Sequence, residues 1–468
     1  MSATNPPGTA RVPPRRWLLL ATVMLGTIAS VMSSTIVNVA VPEMSQQFGI
    51  GQERAHWVAT AFMAAAVIAM LPTPWLLSRF GVRRVFLAAL VGLMAGGLGG
   101  GFSPTYTAVL LMRAAEGAAA GVLQVIPAVV ILRVFESGTQ GRAMGIFGFG
   151  VVLAPALGPT IGGVLVDAFG WRSIFFIVLP FGAVAYAMAW RHLPFHAGDG
   201  PNRPAAAPDW AGLLAAAVGV IALLNGLVHL HDRSAMSAAL LLIIAALALA
   251  VFARRQWRSP TPFVELRLLG RRSLGAGAFI AFVYGMALYG STYLVPIFLQ
   301  SALHESPTAA GAALMPAGLV LAAMITLGGR LADSVAPHRL VGIGLTMLAV
   351  SFVLIATVGG TSAIAQMIVW TMIGRAGLGL VMPSLSLAGL RELGRHEVSH
   401  GSSTMSVARQ LGGAIGISIV GILLEWRLSS AAALGGAPDR AFAETFLAIG
   451  AVTLLAAAAS LRMKPSGT

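Results

Sequence analysis

The sequence has no cysteine and few charged residues. Of its 468 residues, 10% are charged, whereas a soluble globular protein has about a quarter of its residues charged. A chain so poor in charge cannot cover a water-facing surface of its size, so it must lie largely in lipid. The lack of cysteine excludes disulfides, thiolate chemistry and cysteine-ligated metal sites.

Apolar residues make up 57% of the chain, and the mean hydropathy is +0.84. A membrane helix needs about 20 mainly apolar residues, so the composition has room for about thirteen spans and excludes a large soluble enzymatic domain. No Walker sequence occurs, so no ATP-driven mechanism is visible. Met1–Pro14 is polar and proline-rich, which predicts a short tail. The apolar stretch after Arg16 is longer than a signal-peptide core and is predicted to be a retained first span.

Fourteen apolar segments are bounded by arginine, proline or polar clusters. They predict an all-α membrane protein with 14 transmembrane helices. The predicted spans are Trp17–Val41, Trp57–Leu77, Val85–Phe102, Tyr106–Leu132, Ala143–Val166, Ile174–Trp190, Trp210–Val228, Ala235–Phe252, Leu274–Leu299, Ala309–Leu327, Leu340–Val358, Ile364–Leu387, Ser402–Leu424 and Ala441–Leu461.

The net charge of +14 follows the predicted loops. With the N-terminus inside, 22 of the 30 basic residues fall in loops predicted to be cytoplasmic, and five fall on the opposite side. Such an asymmetry orients a membrane protein and here requires an even number of spans, with both termini in the cytoplasm. Arg113, Arg375 and Arg409 remain inside predicted spans.

Three pairs of segments repeat at an offset near 255 residues, which indicates two six-helix pseudo-repeats. A six-helix unit needs about 180 residues, so about 70 residues are inserted, namely helices seven and eight with their loops. The predicted organisation is a cytoplasmic tail (1–16), a first six-helix bundle (17–194), an inserted helix pair with cytoplasmic linkers (195–272), a second six-helix bundle (273–461) and a cytoplasmic tail (462–468). The repeated pairs are Arg113 to Gly117 with Arg375 to Gly379, Gly158 to Gly163 with Gly412 to Gly416, and Trp75 to Arg84 with Arg330 to Arg339.

Glu116 is the one acid near the middle of a predicted span. It follows Arg113 by three residues, so both side chains lie on one side of the same helix. A charge at that depth is costly and is usually kept for a function or a pairing. Two interpretations stay open, a structural Arg–Glu pair and a site of proton coupling or substrate contact.

Other polar residues in the spans are weaker candidates. Asn38, Gln124 and Gln410 are predicted to line a substrate cavity. Three arginines against one acid predict an electropositive cavity, which argues for neutral, zwitterionic or anionic substrates. The sequence His229, His231 and Asp232 is interpreted as a solvated loop, so no metal site is predicted.

Seven motifs follow one another along the chain. They are Thr35-Ile-Val-Asn38 with Pro42, the loop with Arg79, Gly81, Arg83 and Arg84, Arg113 with Gly117, Gly158-Pro159 with Gly162-Gly163, Asp209-Trp210, Tyr293 to Pro296, and Arg409 to Gly413. Together they resemble the major facilitator superfamily, in its fourteen-helix drug:proton antiporter branch.

The resemblance implies roles for three groups of residues. Arg113 is implied to take part in coupling, and the alternative is a tether between helices through backbone carbonyls. The two hinge loops are implied to lock the cytoplasmic side in the outward-facing state, through Arg79, Gly81, Arg83, Arg84, Asp333 and Arg339. The antiporter motif is Gly158, Pro159, Gly162 and Gly163, where close helix packing is a sufficient explanation and gating at the proline is the alternative.

Three positions depart from the family pattern. The family places an aspartate where this chain has Ser33, an aspartate where it has Ser78, and a glutamine where it has Glu116. The loss of the helix-one aspartate removes the usual cation and proton site. We hypothesise that Glu116 replaces it, while Asp333 keeps an acid in the second hinge loop.

The predicted function is secondary active transport, with no enzymatic activity, nucleic acid or cofactor other than the proton gradient. The chain is expected to export lipophilic small molecules such as drugs or antibiotics across the cytoplasmic membrane, in exchange for protons and by alternating access around a midplane cavity lined by Arg113 and Glu116. The alternative is an exporter of a lipid or an endogenous metabolite with altered or no proton coupling. A channel or sensor on the same fold is less favoured. By resemblance to relatives that use one, a periplasmic adaptor protein is a candidate partner.

Overall fold

The computed structural model describes residues 16–55, 57–193, 208–231, 235–303, 305–358, 363–433 and 438–464. Within these ranges the regular elements are helices, without strands. Thirteen helices are long and apolar enough to cross a membrane, and Trp57–Met70 is a shorter apolar helix. These fourteen helices confirm the predicted all-α membrane protein. The tails up to residue 15 and from residue 465, the linker 194–207 and Asp232 lie outside the described residues.

The helices follow the predicted spans but differ at their ends. The first one continues through Pro42, where the sequence predicted its end, and a short helical segment, Trp171–Ile177, precedes the sixth. The helices are α1 (Arg16–Phe48), α2 (Trp57–Met70), α3 (Thr73–Gly101), α4 (Tyr106–Val134), α5 (Gln140–Phe169), α6 (Val178–His192), α7 (Trp210–His231), α8 (Ala235–Arg258), α9 (Arg272–Ser301), α10 (Pro307–Leu331), α11 (Pro337–Ile355), α12 (Ala363–Leu390), α13 (Val398–Ala433) and α14 (Pro438–Ala459).

The second span differs most from its prediction. It is expected over Trp57–Leu77, but α2 ends at Met70 and a new helix begins at Thr73, because Pro72 and Pro74 supply no backbone N–H at this point. The range Thr73–Gly101, here α3, consists of two helices that are joined at Gly81, where φ is 77° and ψ is 158°. Only glycine adopts this conformation readily. The predicted hinge is therefore present as a junction at one residue, Gly81.

The two bundles repeat the same helix contacts. In the first, α1 packs on α5, α2 on α4 and α3 on α4; in the second, α9 packs on α13, α10 on α12 and α11 on α12. Glycines allow the equivalent close approaches, since a Cβ at Gly162 would meet Ile36 Cγ1 at 2.6 Å and one at Gly416 would meet Met286 Cα at 2.6 Å. The two predicted pseudo-repeats are present.

The inserted helices form a pair beside one seam between the bundles. α7 packs on α8 and also contacts α2 of the first bundle and α13 of the second. Its start is fixed by Asp209, which accepts a hydrogen bond from Arg255 at the end of α8, 2.6 Å from Nη2 to Oδ1. Hydrogen bonds from the Arg255 guanidinium hold the pKa of Asp209 below its ordinary value. The insertion thus covers the seam between α2 and α13.

Candidate functional site

The two bundles are in contact on the side that carries both described chain ends, Arg16 and Lys464, here called the terminal side. Near this side the start of α5 lies directly against the end of α10. A Cβ at Gly145 would meet Gly329 Cα at 2.9 Å, and one at Gly148 would meet Ile325 Cγ2 at 2.7 Å. The absence of side chains lets the two backbones touch.

Asp333 strengthens this contact. It follows α10 in the second bundle, and its carboxylate accepts hydrogen bonds from the backbone N–H groups of Gly141 at 2.7 Å and Arg142 at 2.8 Å, in the first turn of α5. The first N–H groups of a helix have no partner within the helix and carry the positive end of its dipole. A carboxylate of one bundle therefore caps a helix of the other.

The helix α13 makes a second set of contacts between the bundles. The Ser402 hydroxyl donates to the carbonyl of Val125 at 3.0 Å, and that of Ser403 donates to the carbonyl of Met70 at 2.6 Å. Nearer the terminal side, Arg133 Nη2 donates to the carbonyl of Arg395 at 3.2 Å. Both seams are thus joined at this end of the molecule.

Toward the opposite side, α5 and α10 separate. Gly163 lies about five helical turns beyond Gly145 on the same face of α5, and Gly311 lies about five turns before Gly329 on the same face of α10. A Cβ at either Gly163 or Gly311 would meet nothing within 4 Å. Met315 and Leu319, in the same part of α10, are 67% and 68% exposed. The seam that is closed on the terminal side is therefore open on the other.

A central cavity of about 80 Å³ lies between the bundles where they meet. Its walls come from α1, α4 and α5 of the first bundle and from α9, α12 and α13 of the second. Of the described residues that line it, Arg409 is the one with a charge. The polar lining residues are Thr27, Gln124, Tyr284, Ser386, Ser402, Ser406 and Arg409, and the apolar ones include Val31, Met144, Phe147, Val151, Met382 and Met405.

The predicted cavity residues lie in different places. Gln124 is part of the wall. Gln410 is buried beside Arg409 in α13 but outside the wall, and Asn38 is exposed on α1 toward the opposite side. Tyr284 and Arg409 line the cavity, although neither was among the predicted cavity residues. The charge within a span was the signal that distinguished Arg409.

Arg113 and Glu116 lie inside the first bundle rather than in the cavity wall. Arg113 Nη1 is 2.8 Å from Glu116 Oε2, and their side chains are 2% and 0% exposed. The Ser33 hydroxyl completes the cluster, since it accepts from Arg113 Nη1 at 2.9 Å and donates to Glu116 Oε1 at 3.2 Å. The position that lacks the family aspartate is thus in direct contact with the acid of α4.

Aromatic rings and backbone enclose this cluster. Arg113 Cζ lies 4.3 Å from the centroid of the Phe62 ring, and Arg113 Nε donates to the carbonyl of Val58 at 3.3 Å, both in α2. Glu116 packs on α3, where a Cβ at Gly96 would meet its Cγ at 2.6 Å. Arg113 Nη2 is buried and has no hydrogen-bond partner among the described residues. Four helices of one bundle therefore converge on a single ion pair.

The hinge residues differ between the bundles. In the first, Arg83 donates to the carbonyl of Trp190 and lies 5.2 Å from its ring centroid, which ties the hinge to its own bundle. Ser78 is exposed and donates to the carbonyl of Trp75 in its own turn. Arg79, Arg84 and Arg339 are exposed on the terminal side. Asp333 in the second hinge instead accepts hydrogen bonds across from the other bundle.

Residues 23–417 match the family model of the major facilitator superfamily. The chain belongs to this superfamily. A relative named multidrug resistance protein B homolog, from Mycobacterium tuberculosis, is 31% identical over 88% of this chain and 77% of its own length. The multidrug export protein EmrB of Haemophilus influenzae is 26% identical over 86% and 79%.

A solved structure supports the same fold. The proton:xylose symporter XylE, bound to 6-bromo-6-deoxy-D-glucose, has a TM-score of 0.66 and 13% identity over 96% of this chain and 95% of its own. At this identity the likeness shows the fold alone. Superfamily and relatives together confirm the resemblance inferred from the motifs, and the chain is a multi-pass membrane transporter rather than an enzyme.

Proposed function

We propose that this transporter exports lipophilic small molecules, including drugs, across the cytoplasmic membrane in exchange for protons. The observation that carries the proposal is the buried cluster of Ser33, Arg113 and Glu116. An ionisable pair at membrane depth is costly, and transporters use such groups as proton relays. The names of the relatives, which refer to multidrug resistance and export, support drugs as the substrate class.

The distribution of arginine supports an orientation with the terminal side in the cytoplasm. In that orientation the structure is closed to the cytoplasm at Gly145, Gly329 and Asp333, and its seam between α5 and α10 opens outward. This arrangement fits the outward-facing half of an alternating-access cycle. The inward-facing half requires the hydrogen bonds from Gly141 and Arg142 to Asp333 to break.

Glu116 is the proposed proton carrier because it takes the place of the missing acid of α1. When it is ionised it attracts Arg113 and accepts a hydrogen bond from Ser33, so α1 and α4 are held together. A proton on the carboxyl group cancels the charge attraction and releases the contact with α1. Movement of α1 then reaches α5, since Thr35 and Ile36 lie against Gly158 and Gly162 of the antiporter motif.

The experiment is export from proteoliposomes driven by an imposed pH gradient. Glu116→Gln keeps the size of the side chain and removes the proton site, so gradient-driven export should stop while substrate still binds. The matched control is Glu136→Gln, at an exposed acid in the loop after α4, which should transport as the wild type does. Unimpaired gradient-driven export by Glu116→Gln would overturn the proposal.

A second candidate function has its own support. Ser33 leaves α1 without the family acid, and the seam between α5 and α10 is open, which suits a lipid or endogenous metabolite moved with altered or no proton coupling. Transport of lipids and drugs by the same proteoliposomes, with and without a pH gradient, separates the two. Transport at the same rate with and without the pH gradient favours the second candidate.

A further inference from the structure

Arg409 differs from the other arginines within the spans because it faces the central cavity. It lies about 17 Å along α13 from Val398, at a rise of about 1.5 Å per residue, which places it well inside the membrane. Among the described residues its guanidinium has neither a hydrogen bond nor an ion pair. Arg113 is paired with Glu116, and Arg375 Nη2 donates to Thr292 Oγ1 at 3.0 Å. Arg409 is thus a charged donor in the wall of the central cavity.

The groups around it are donors rather than acids. Tyr284, from α9, is 3% exposed and lines the same cavity, and Gln124 of α4 brings an amide from the other bundle. Ser406 adds a hydroxyl one turn before Arg409 on α13. No carboxylate is among the described lining residues, so nothing in the wall neutralises the guanidinium. An uncompensated cation at this depth is expected to be retained for a ligand.

The rest of the wall is apolar and adaptable. Phe147 and Val151 of α5 face Met382 of α12 and Met405 of α13 across the cavity. Methionine and aromatic side chains repack around apolar bodies of different shape, which is how promiscuous sites accept several ligands. The cavity therefore combines one cationic point with a deformable apolar surface.

We propose that Arg409 is an anion-accepting residue, and that the substrates are amphiphilic organic anions, each with an apolar body and one carboxylate or similar group. This inference rests on the proposed function, since it names the substrate class of the same export route. The planar guanidinium donates two parallel hydrogen bonds to a carboxylate, and Tyr284 and Gln124 are placed on the walls around it. A substrate with a single negative charge makes the site neutral when bound.

The test uses two probes that differ only in charge, 1-pyrenebutyrate and 1-pyrenebutanamide. Their binding to the purified full-length protein is measured at one neutral pH by fluorescence anisotropy. Wild type should bind the carboxylate about ten times more tightly than the amide, which is the ratio that about 1.4 kcal/mol produces. Arg409→Gln should bring the ratio close to one, and Arg409→Lys should keep part of it.

Two controls separate charge recognition from a loss of structure. The affinity of Arg409→Gln for the uncharged amide should stay near that of the wild type, which shows that the cavity is intact. Arg375→Gln removes an arginine of the same bundle that does not line the cavity, and it should keep the preference for the carboxylate. Equal affinities in the wild type, an unchanged ratio in Arg409→Gln, or loss of both probes in that variant would overturn the inference. Equilibrium binding needs no proton gradient, so failure of proton-driven export with retained carboxylate preference would overturn the coupling proposal alone.

Discussion

Arg113 in α4 and Arg375 in α12 occupy equivalent places in the two bundles, and both donate to a hydroxyl on the first helix of their own bundle. Arg113 donates to Ser33 of α1, and Arg375 donates to Thr292 of α9. The acid, however, is present in only one of them. Glu116 in the first bundle corresponds to Leu378 in the second, at the same offset of 262 residues.

The comparison separates two roles that a buried arginine can have. The hydrogen bond to the first helix is common to both bundles and acts as a tether. The carboxylate is an addition to the first bundle, and it turns the tether into an ion pair, which we propose responds to a proton. The second bundle instead presents Arg409 to the cavity. Under the two proposals above, the first bundle carries proton coupling and the second carries substrate recognition.

The largest expected effect comes from moving the acid. Glu116→Gln should lower gradient-driven export by about a hundredfold or more, the scale of losing a proton-transfer group. Ser33→Asp added to it places a carboxyl beside Arg113 on α1 and should restore much of the export. Leu378→Glu added to Glu116→Gln puts the acid in the second bundle and should restore nothing. Rescue by Leu378→Glu would show that the bundles are interchangeable.

Substitution of Arg113 and of Arg375 should lower the unfolding free energy by different amounts. Arg113→Met leaves Glu116 as a buried unpaired charge and should cost about 3–5 kcal/mol of unfolding free energy. Arg375→Met removes one hydrogen bond of a half-buried side chain and should cost about 1 kcal/mol. Thermal unfolding of the purified variants measures both. The double variant Arg113→Met with Glu116→Leu should recover most of the loss, and failure to recover would contradict the ion-pair explanation.

The strain at Gly81 gives a third contrast. Gly81→Ala places a Cβ at φ 77° and should cost about 1–3 kcal/mol. Its counterpart in the second hinge is Ala336, with φ −55°, where Ala336→Gly should cost no more than about 1 kcal/mol. Unfolding of the two variants in the same detergent gives the comparison. Equal losses of unfolding free energy in the two variants would mean that a Cβ at residue 81 causes no backbone strain.

The two hinges should also differ in how strongly they keep the terminal side closed. Asp333→Asn removes the charge that caps α5, and the loss of about 0.5–2 kcal/mol should raise the population open on the terminal side by roughly 2- to 30-fold. Ser78→Ala is the matched control, because Ser78 bonds only within its own turn. Because the chain has no cysteine, spin labels at Ser137→Cys and Arg395→Cys report the distance between the bundles directly. An unchanged distance distribution in Asp333→Asn would show that Asp333 does not help to keep the terminal side closed.

The smallest effect is expected at the inserted helices. Asp209→Asn should lower the melting temperature slightly at pH 7, by less than Gly81→Ala does, because the Arg255 partner is largely exposed. The lowered pKa of Asp209 means that its contribution is present above the unfolded pKa of about 3.9 and is lost as pH falls through the folded value. The difference in melting temperature between wild type and variant should therefore be largest at pH 7 and should shrink as the pH falls below about 3.9.

Part of this site could be predicted from the sequence alone. Arg113 and Glu116 were found because charges are rare within spans and these two share one helical face. Ser33 was noticed as a departure from the family pattern, but its place between the two charges was not. Asn38 and Gln410 were chosen for polarity alone, and neither lines the cavity, because polarity within a span does not say which way a side chain faces.

The backbone of the first hinge was also only partly predictable from the sequence. Hydropathy located a break between the second and third spans, since Ser78, Arg79, Arg83 and Arg84 interrupt the apolar run. It gave no sign that Gly81 alone forms the junction between two helices. Helix continuity depends on the φ and ψ angles of single residues, and a hydropathy window contains no information about these angles.

The sequence by itself determined the all-α membrane class, the number of spans, the pseudo-repeat and the presence of charges at membrane depth. These are local properties, because lipid demands about 20 apolar residues for every crossing regardless of what the helix touches. The tertiary structure decided which charge is paired and which faces the cavity. Ser33 and Glu116 are 83 residues apart in the chain, and only helix packing brings their side chains within 3.2 Å, while the same packing places Arg409 at the wall of the central cavity.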